Sequence, residues 1–241
     1  MKYGILSDIH SNLEALNAVV AQLQKIQVDH YLCAGDIVGY GADPAACIKR
    51  IQELKAISIA GNHDWAVAGK VDPDDFNGMA KAAVLWTRDR LNDSEKKYLA
   101  DLPLIFQNND LMMVHSTLPG PERFDYLNEV YKAVLMFQSM ARNICFIGHT
   151  HVPLIIHQKN KTQMQLDEAL VKVEPHDKYI VNVGSVGQSR DSDPQAAFCT
   201  YDTDKKILEI IRTPYDLPLT QQKIIKAGLP AQLATRLKSG H

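Results

Sequence analysis

The apolar run YGILS ends on an aspartate and a histidine two positions apart, Asp8 and His10. The pattern returns along the chain. GDIVGYG places Asp36 after a second apolar run, and GNHD places Asn62, His63 and Asp64 after a third. VHS then brings His115, and GHTH brings His149 and His151. Any one of these pieces is more often a turn than a site. Together they hold five of the nine histidines; the other four (His30, His157, His176 and His241) fall in polar or terminal stretches and read as surface residues. Mixed oxygen and nitrogen donors suit Mn2+, Fe, Co, Ni or Zn better than Ca2+ or a lone Mg2+. So many candidate ligands exceed what one ion with an open position takes, and they divide into two sites if one carboxylate bridges. Two metals about 3.5–4 Å apart suit the clamping of attacking and leaving oxygens in an in-line displacement at phosphorus.

Such chemistry needs a scaffold that delivers five segments to one place. YGILS, HYLCAGD and AISIAGN read as buried strands. Leu13, Leu16, Val19, Val20, Leu23 and Ile26 recur at helical spacing between the first two. Ser11 and Glu14 form an S-x-x-E capping box, which predicts a helix beginning immediately after His10. Asp43 and Pro44 predict the cap and first turn of a second helix running to about Leu54. A βαβαβ opening implies a parallel sheet with crossover helices. Residues 65–103 read as helical, with Leu85 and Trp86 on a core-facing stripe. LMMVHS and NICFIGHTH are further strands, and 154–212 is richer in strands, with KYIVNVGS, AAFCTYD and KILEIIR the clearest. TDKK at 203–206 predicts a hairpin turn. The tail, 214–241, predicts one or two terminal helices. With no repeat and no linker, residues 1–241 are expected to form one domain. In an open parallel sheet the carboxyl ends of the strands share one edge, where ligands bind. Gly35, Gly61 and Gly148 precede the candidate residues, as expected where backbone approaches a ligand or turns sharply.

Composition limits the function classes. With 241 residues, 46% of them hydrophobic, the chain is long enough for a substantial core. The balance of 26 Lys+Arg against 28 Asp+Glu argues against a duplex nucleic-acid partner, which calls for a basic stripe. The four cysteines show neither CxxC nor CxxxC spacing, so neither a zinc knuckle nor a disulfide scaffold is indicated. No apolar run approaches the ~18 residues of a membrane span, and Asp8 and His10 interrupt any signal-peptide core. A cytoplasmic protein without membrane attachment is expected, with its oligomeric state left open.

Asp-x-His, Gly-Asp-x-x-Gly, Gly-Asn-His-Asp, an isolated His and Gly-His-x-His, in that order, resemble the calcineurin-like metallophosphoesterases. GDIVGYGADP, NVGSVGQSRDSDP and AGLPAQLATRL are similar to the prokaryotic phosphodiesterase-like subgroup, which extends the resemblance over nearly the whole chain. The resemblance implies an α/β fold, a four-layer α/β/β/α sandwich of two mixed sheets with a dinuclear metal site at the strand C-terminal ends. It implies that Asp8, His10 and His151 hold one metal, that Asn62, His115 and His149 hold the other, and that Asp36 bridges. His63 would protonate the leaving oxygen, Asp64 would orient His63, and Asn62 would also stabilise phosphoryl charge. The cofactors implied are two divalent transition-metal ions, Mn2+ foremost, with Fe, Ni, Co or Zn as alternatives. A metal-bridging hydroxide would hydrolyse a small phosphodiester or nucleotide. The alternatives are a phosphomonoesterase, a protein phosphatase, or a non-catalytic metal-bound scaffold, and the presence of His63 argues against the last. Ser11 and Ser116 stand where glycine is common in the family; neither is a ligand position. Arg190, in GQSRD, and Tyr40 are each open to a pocket or a surface role.

Overall fold

The structure is a computed structural model and describes residues 1–127 and 129–241. The order of elements is β1 (Lys2–Leu6), α1 (Leu13–Ile26), β2 (His30–Cys33), α2 (Pro44–Glu53), β3 (Ile57–Ser58), α3 (Asn62–Val67), α4 (Gly78–Arg90) and α5 (Asp93–Asp101). There follow β4 (Ile105–Gln107), β5 (Met112–Val114), α6 (Ala133–Ser139), β6 (Ile144–Ile147), β7 (Leu154–Lys159), β8 (Thr162–Leu166), β9 (Leu170–Lys172) and β10 (Lys178–Asn182). β11 (Ala196–Asp202), β12 (Ile207–Thr213), α7 (Leu217–Lys226) and α8 (Ala231–Ser239) complete the chain.

The strands form two six-stranded sheets, β3-β2-β1-β11-β12-β9 and β4-β5-β6-β10-β7-β8. β1, β2 and β3 run parallel, and so do β5, β6 and β10; the remaining pairings are antiparallel. Both sheets are therefore mixed. Side-chain alternation decides the stacking. Tyr3 and Ile5 of β1 meet Ile144 and Phe146 of β6 in a core between the sheets. Leu6 of β1 turns the other way, into a core with Leu16, Val19, Val20 and Leu23 of α1. Cys145 and Ile147 of β6 pack outward against Met136 and Phe137 of α6. Helix, sheet, sheet, helix is the result. A Cβ at Gly4 would lie 2.7 Å from Leu23 Cδ2, so α1 packs directly on the β1 backbone.

Local details differ from the sequence expectation in four places. The first helix is capped by Asn12, whose side chain accepts from Ala15 N at 3.1 Å, and not by Ser11. Ser11 has φ 55° and is spent on the neighbouring loop: its N donates to Ile37 O and its carbonyl accepts from Asp43 N, both at 3.0 Å. Pro44 does open α2, but the Asp43 carboxylate accepts from Lys223 Nζ at 2.8 Å instead of capping. Leu85 faces out, 40% exposed, whereas Trp86 packs on the C-terminal helices and donates to Ala227 O at 3.0 Å. His157 is not a free surface residue: it is half-buried, stacked on Tyr179, and 2.9 Å from Asp177 Oδ2.

The TDKK turn joins β11 to β12, with Asp202 Oδ1 accepting from Asp204 N and Lys205 N. All four cysteines are buried and free. Among the described residues no helix is long and apolar enough to cross a membrane. α7 and α8 close a small core with α4 in which Leu233, Leu237 and Ile224 surround Tyr40. Lys223 of α7 ties Glu14 of α1, at 2.5 Å, to Asp43.

Candidate metal centre

Parallel β1, β2 and β3 end on one edge of their sheet, and β5 and β6 end on the corresponding edge of the other. The loops that follow are laced together by backbone hydrogen bonds. Asp8 N donates to Gly35 O and His10 N to Asp36 O, each at 3.0 Å, and Gly148 N donates to His115 O at 2.9 Å. Asp8, His10, Asp36, His149 and His151 all have left-handed backbone, with φ between 49° and 67°. That conformation costs a non-glycine residue about 1–2 kcal/mol. Its concentration on these residues is what strain held in place by a functional site looks like. The glycines permit the close approach: a Cβ at Gly61 would overlap the Asp36 carboxylate, and one at Gly148 would overlap Ser7 Oγ and Asp8 Oδ2.

The side chains converge in three overlapping groups, one of which joins His10, Asp36 and His63. Asp8, His10 and His151 present ligand atoms within 4.8 Å of one another, as do Asp36, His115 and His149. His151 Nε2 lies 3.2 Å from Asp8 Oδ1 and 3.0 Å from His10 Nε2. Asp36 Oδ2 stands between the groups, 3.6 Å from His10 Nε2 and 3.4 Å from His115 Nε2. Three of the rings are fixed from behind by backbone carbonyls: His10 Nδ1 meets Val38 O at 3.1 Å, His115 Nδ1 meets Ala34 O at 2.7 Å, and His151 Nδ1 meets Gln188 O at 2.5 Å. With the Nδ1 proton committed there, Nε2 is the nitrogen that ligates a metal whenever the ring is neutral. His149 is placed by its backbone N, which donates to Asp8 Oδ2 at 2.9 Å.

The donor set fits divalent metal ions. Asp8 Oδ1, His115 Nε2, His149 Nε2 and Asn62 Oδ1 are buried with no hydrogen-bond partner among the described residues, and such orphaned atoms demand an explanation. Cations close to these nitrogen and oxygen donors satisfy them together. The electrostatics agree. Burial raises the cost of ionising Asp8 and Asp36, yet the histidines around them outweigh it and hold both carboxyls well below the usual range. Burial, helped by the neighbouring His115, lowers His149 to about 3; burial and Arg190 lower His151 to about 4. His115 is the exception: burial opposes its charge, but Asp36 and Asp8 push it up to about 9.

His63 is buried beside these groups, its ring centroid 4.8 Å from that of His10. Its backbone N donates to Asp36 Oδ1 at 2.8 Å, while its Nδ1 has no partner. Burial holds the ring well below the usual histidine range. Asp64 does not touch that ring through a hydrogen bond. Its two oxygens accept from Val38 N at 3.2 Å and Gly61 N at 3.0 Å, so it fixes the backbone that carries Asn62 and His63. Burial and then Asp36 raise its carboxyl to about 7.

Asp36, Asn62, His63, His149 and His151 line a cavity of about 700 Å3 together with Tyr40, Phe76, Tyr126 and Arg190. The sequence left Tyr40 and Arg190 open; the structure puts both in the cavity wall. Phe76 and Tyr126 lie in segments without a chemical motif, and nothing in the sequence singles them out. The Phe76 ring meets His63 edge-on at 5.0 Å, and the Tyr126 ring covers His149 at 4.2 Å.

Residues 1–206 match the calcineurin-like phosphoesterase superfamily domain. An uncharacterized protein of Methanocaldococcus jannaschii is 37% identical over 98% of this chain and 97% of its own length. A metallophosphoesterase from Sphaerobacter thermophilus superposes with a TM-score of 0.88 at 36% identity, covering 100% of this chain and 99% of that one. A hypothetical protein from Pyrococcus horikoshii shares the fold, with a TM-score of 0.82 at 20% identity over 100% of this chain and 98% of that one.

Proposed function

Because the chain belongs to the calcineurin-like phosphoesterase superfamily, whose members hydrolyse phosphoesters, we propose that it cleaves small phosphodiesters or nucleotides at a dinuclear divalent-metal centre. One observation carries this reading: a buried group of Asp8, His10 and His151 lies beside one of Asp36, His115 and His149, with Asp36 Oδ2 3.6 Å from His10 Nε2 and 3.4 Å from His115 Nε2, and Asp36, His149 and His151 line one cavity. Asp8, His10 and His151 would hold one ion, Asn62, His115 and His149 the other, with Asp36 common to both. Mn2+ is the foremost candidate. Bound there, the ions supply Lewis-acid charge for phosphoryl oxygens and water activated near neutral pH.

The chain's own residues do the rest. Two ionised carboxylates against two divalent ions leave the floor positive, so an anionic phosphoryl group is drawn to it. Asn62 offers an amide to that group as well as to the ion. His63 is the proton donor to the leaving oxygen: it is neutral in the free cavity, and an anionic phosphoryl group beside it favours the imidazolium. Asp64 positions His63 through the Gly61–His63 backbone. The cavity is larger than orthophosphate requires and falls in the size range of small-molecule sites, which supports a substrate with groups on both sides of phosphorus. The helical 65–103 segment and the 214–241 tail belong to the same domain in this reading. The buried free thiols suit a reducing compartment such as the cytoplasm.

His63→Ala tests the assignment by leaving-group dependence. Turnover of an alkyl phosphodiester should fall roughly 10²–10⁴-fold, and that of bis-p-nitrophenyl phosphate much less, since nitrophenolate departs unprotonated. Equal losses on both esters would remove His63 from the acid role.

A further inference from the structure

Among the described residues, Arg190 in the wall of the cavity has no counter-ion. Its Nη2 donates to Tyr40 Oη at 3.3 Å and to Gln188 Oε1 at 3.2 Å, both neutral acceptors. Its Nε is buried without a partner. The carboxylates that follow it, Asp191 and Asp193, pair with Arg212 instead. No described carboxylate lies within ion-pair distance of Arg190. A second half-buried arginine, Arg236 of α8, is close enough that Arg190 disfavours its charge, and its Nε is spent on the carbonyl of His241. A partly desolvated guanidinium that hydrogen-bonds only to neutral side chains and has another cation nearby is costly. It is stabilised when an anion enters.

The position of Arg190 says which anion. The guanidinium lies 5.9 Å from the Tyr40 ring centroid, and the Tyr40 ring lies 4.5 Å from that of His63 and 4.6 Å from that of His10. Arg190 N also donates to His151 O at 3.3 Å. The charge is thus set one aromatic ring away from both His10 and His63. Tyr40 belongs to the same buried helical core as Ile224, Leu233 and Leu237.

Resting on the phosphoesterase reading above, we propose that Arg190 and Tyr40 form a second anion subsite for a phosphoryl group carried by the leaving group. The substrate class is then a nucleoside phosphoanhydride, in which the scissile phosphorus bears a substituent on one side and a further phosphate on the other. Hydrolysis adds water across the P–O–P link. The hydroxyl oxygen bonds to the scissile phosphorus, the anhydride P–O bond breaks, and the bridging oxygen leaves with the electron pair on the second phosphate. The proton released from water goes to that oxygen or to solvent, and Arg190 balances the added charge.

The test compares inorganic pyrophosphate with orthophosphate as competitive inhibitors of bis-p-nitrophenyl phosphate hydrolysis by the Mn2+-loaded protein, at matched free metal. The variants are Arg190→Ala and Arg190→Lys. The wild type should bind pyrophosphate the more tightly. In Arg190→Ala that preference should shrink about 10–100-fold, the value of hydrogen bonds to a charged group. Arg190→Lys, which keeps charge but loses the fork, should fall between. An equal loss for both anions would place Arg190 on the scissile phosphoryl group and overturn the second subsite. So would an unchanged preference in properly folded variants. If the wild type hydrolyses no ester, the phosphoesterase reading falls, and calorimetric binding of the same two anions to the three proteins still decides the subsite.

Discussion

Gly61→Ala should disable the metal centre without altering any candidate ligand. The φ of Gly61 is −99°, open to any residue, so the substitution carries no backbone penalty. The difficulty is the new Cβ, which would overlap the Asp36 carboxylate oxygen and stand 2.6 Å from its Cγ. Asp36 has to yield. Its Oδ1 holds His63 N at 2.8 Å, and its Oδ2 stands 3.4 Å from His115 and 3.6 Å from His10, so both ligand groups loosen at once. Overpacking of this kind costs about 1–3 kcal/mol of stability, and displaced support around a metal costs about 10–100-fold in affinity. With metal at about 100 times Kd each ion stabilises the wild type by about 2.7 kcal/mol, whereas an ion bound a hundredfold more weakly contributes about 0.4 kcal/mol at the same concentration. For a chain of this size about 1 kcal/mol moves Tm by about 2–4 °C. The metal-induced rise should therefore shrink, for each ion bound, from about 5–11 °C to about 1–2 °C. Scanning calorimetry of metal-stripped and Mn2+-titrated protein reads both values. A variant whose Tm rises with metal as the wild type's does would refute the place given to Asp36.

Metal binding should release a proton. His115 is raised to about 9 by Asp36 and Asp8 against burial, so near pH 7 it is charged and must deprotonate to ligate. Affinity should then rise with pH toward 9, and calorimetry in buffers of different ionisation enthalpy should count roughly one proton, with none from His149 or His151, which are already neutral. In the metal-free protein the same shift adds stability below the ordinary value of 6.5 that fades as pH rises through about 9. Leu233→Ala, at a fully buried position of the helical core around Tyr40, should cost about 2–5 kcal/mol, measured from urea midpoints. Lys223→Met leaves Glu14 and Asp43 facing each other without their shared cation; a loss of about 1–3 kcal/mol is expected at this partly buried site, read the same way.

The sandwich was legible where hydrophobic pattern decides structure. YGILS and NICFIG are buried on both faces, and the amphipathic run after Asn12 can only be a helix. β4, β8 and β9 were not legible: they are short and largely exposed, so pairing with a neighbour defines them and no apolar pattern does. Ser11 misled because a capping signal is local, while its backbone is committed to a loop that begins at Asp36. The convergence of Asp8, His10, Asp36, His115, His149 and His151 was legible because metal chemistry restricts residue type and strand ends restrict position. The role of Asp64 was less so, since sequence adjacency to His63 says nothing about where its carboxylate points; it points at Val38 N and Gly61 N. Arg190 and Tyr40 lie 150 positions apart, and only the packing of the C-terminal helices on Tyr40 makes them one wall.

The most direct test strips the protein of metal, restores Mn2+, and follows bis-p-nitrophenyl phosphate hydrolysis against p-nitrophenyl phosphate, with Asp36→Asn as control and bound metal counted per chain. The account predicts close to two ions per chain, activity only with metal, preference for the diester, and collapse of both metal content and turnover in Asp36→Asn. A folded wild type that binds Mn2+, Ni2+, Co2+ or Zn2+ at no more than one site, or that turns over neither ester with any of them, would contradict it.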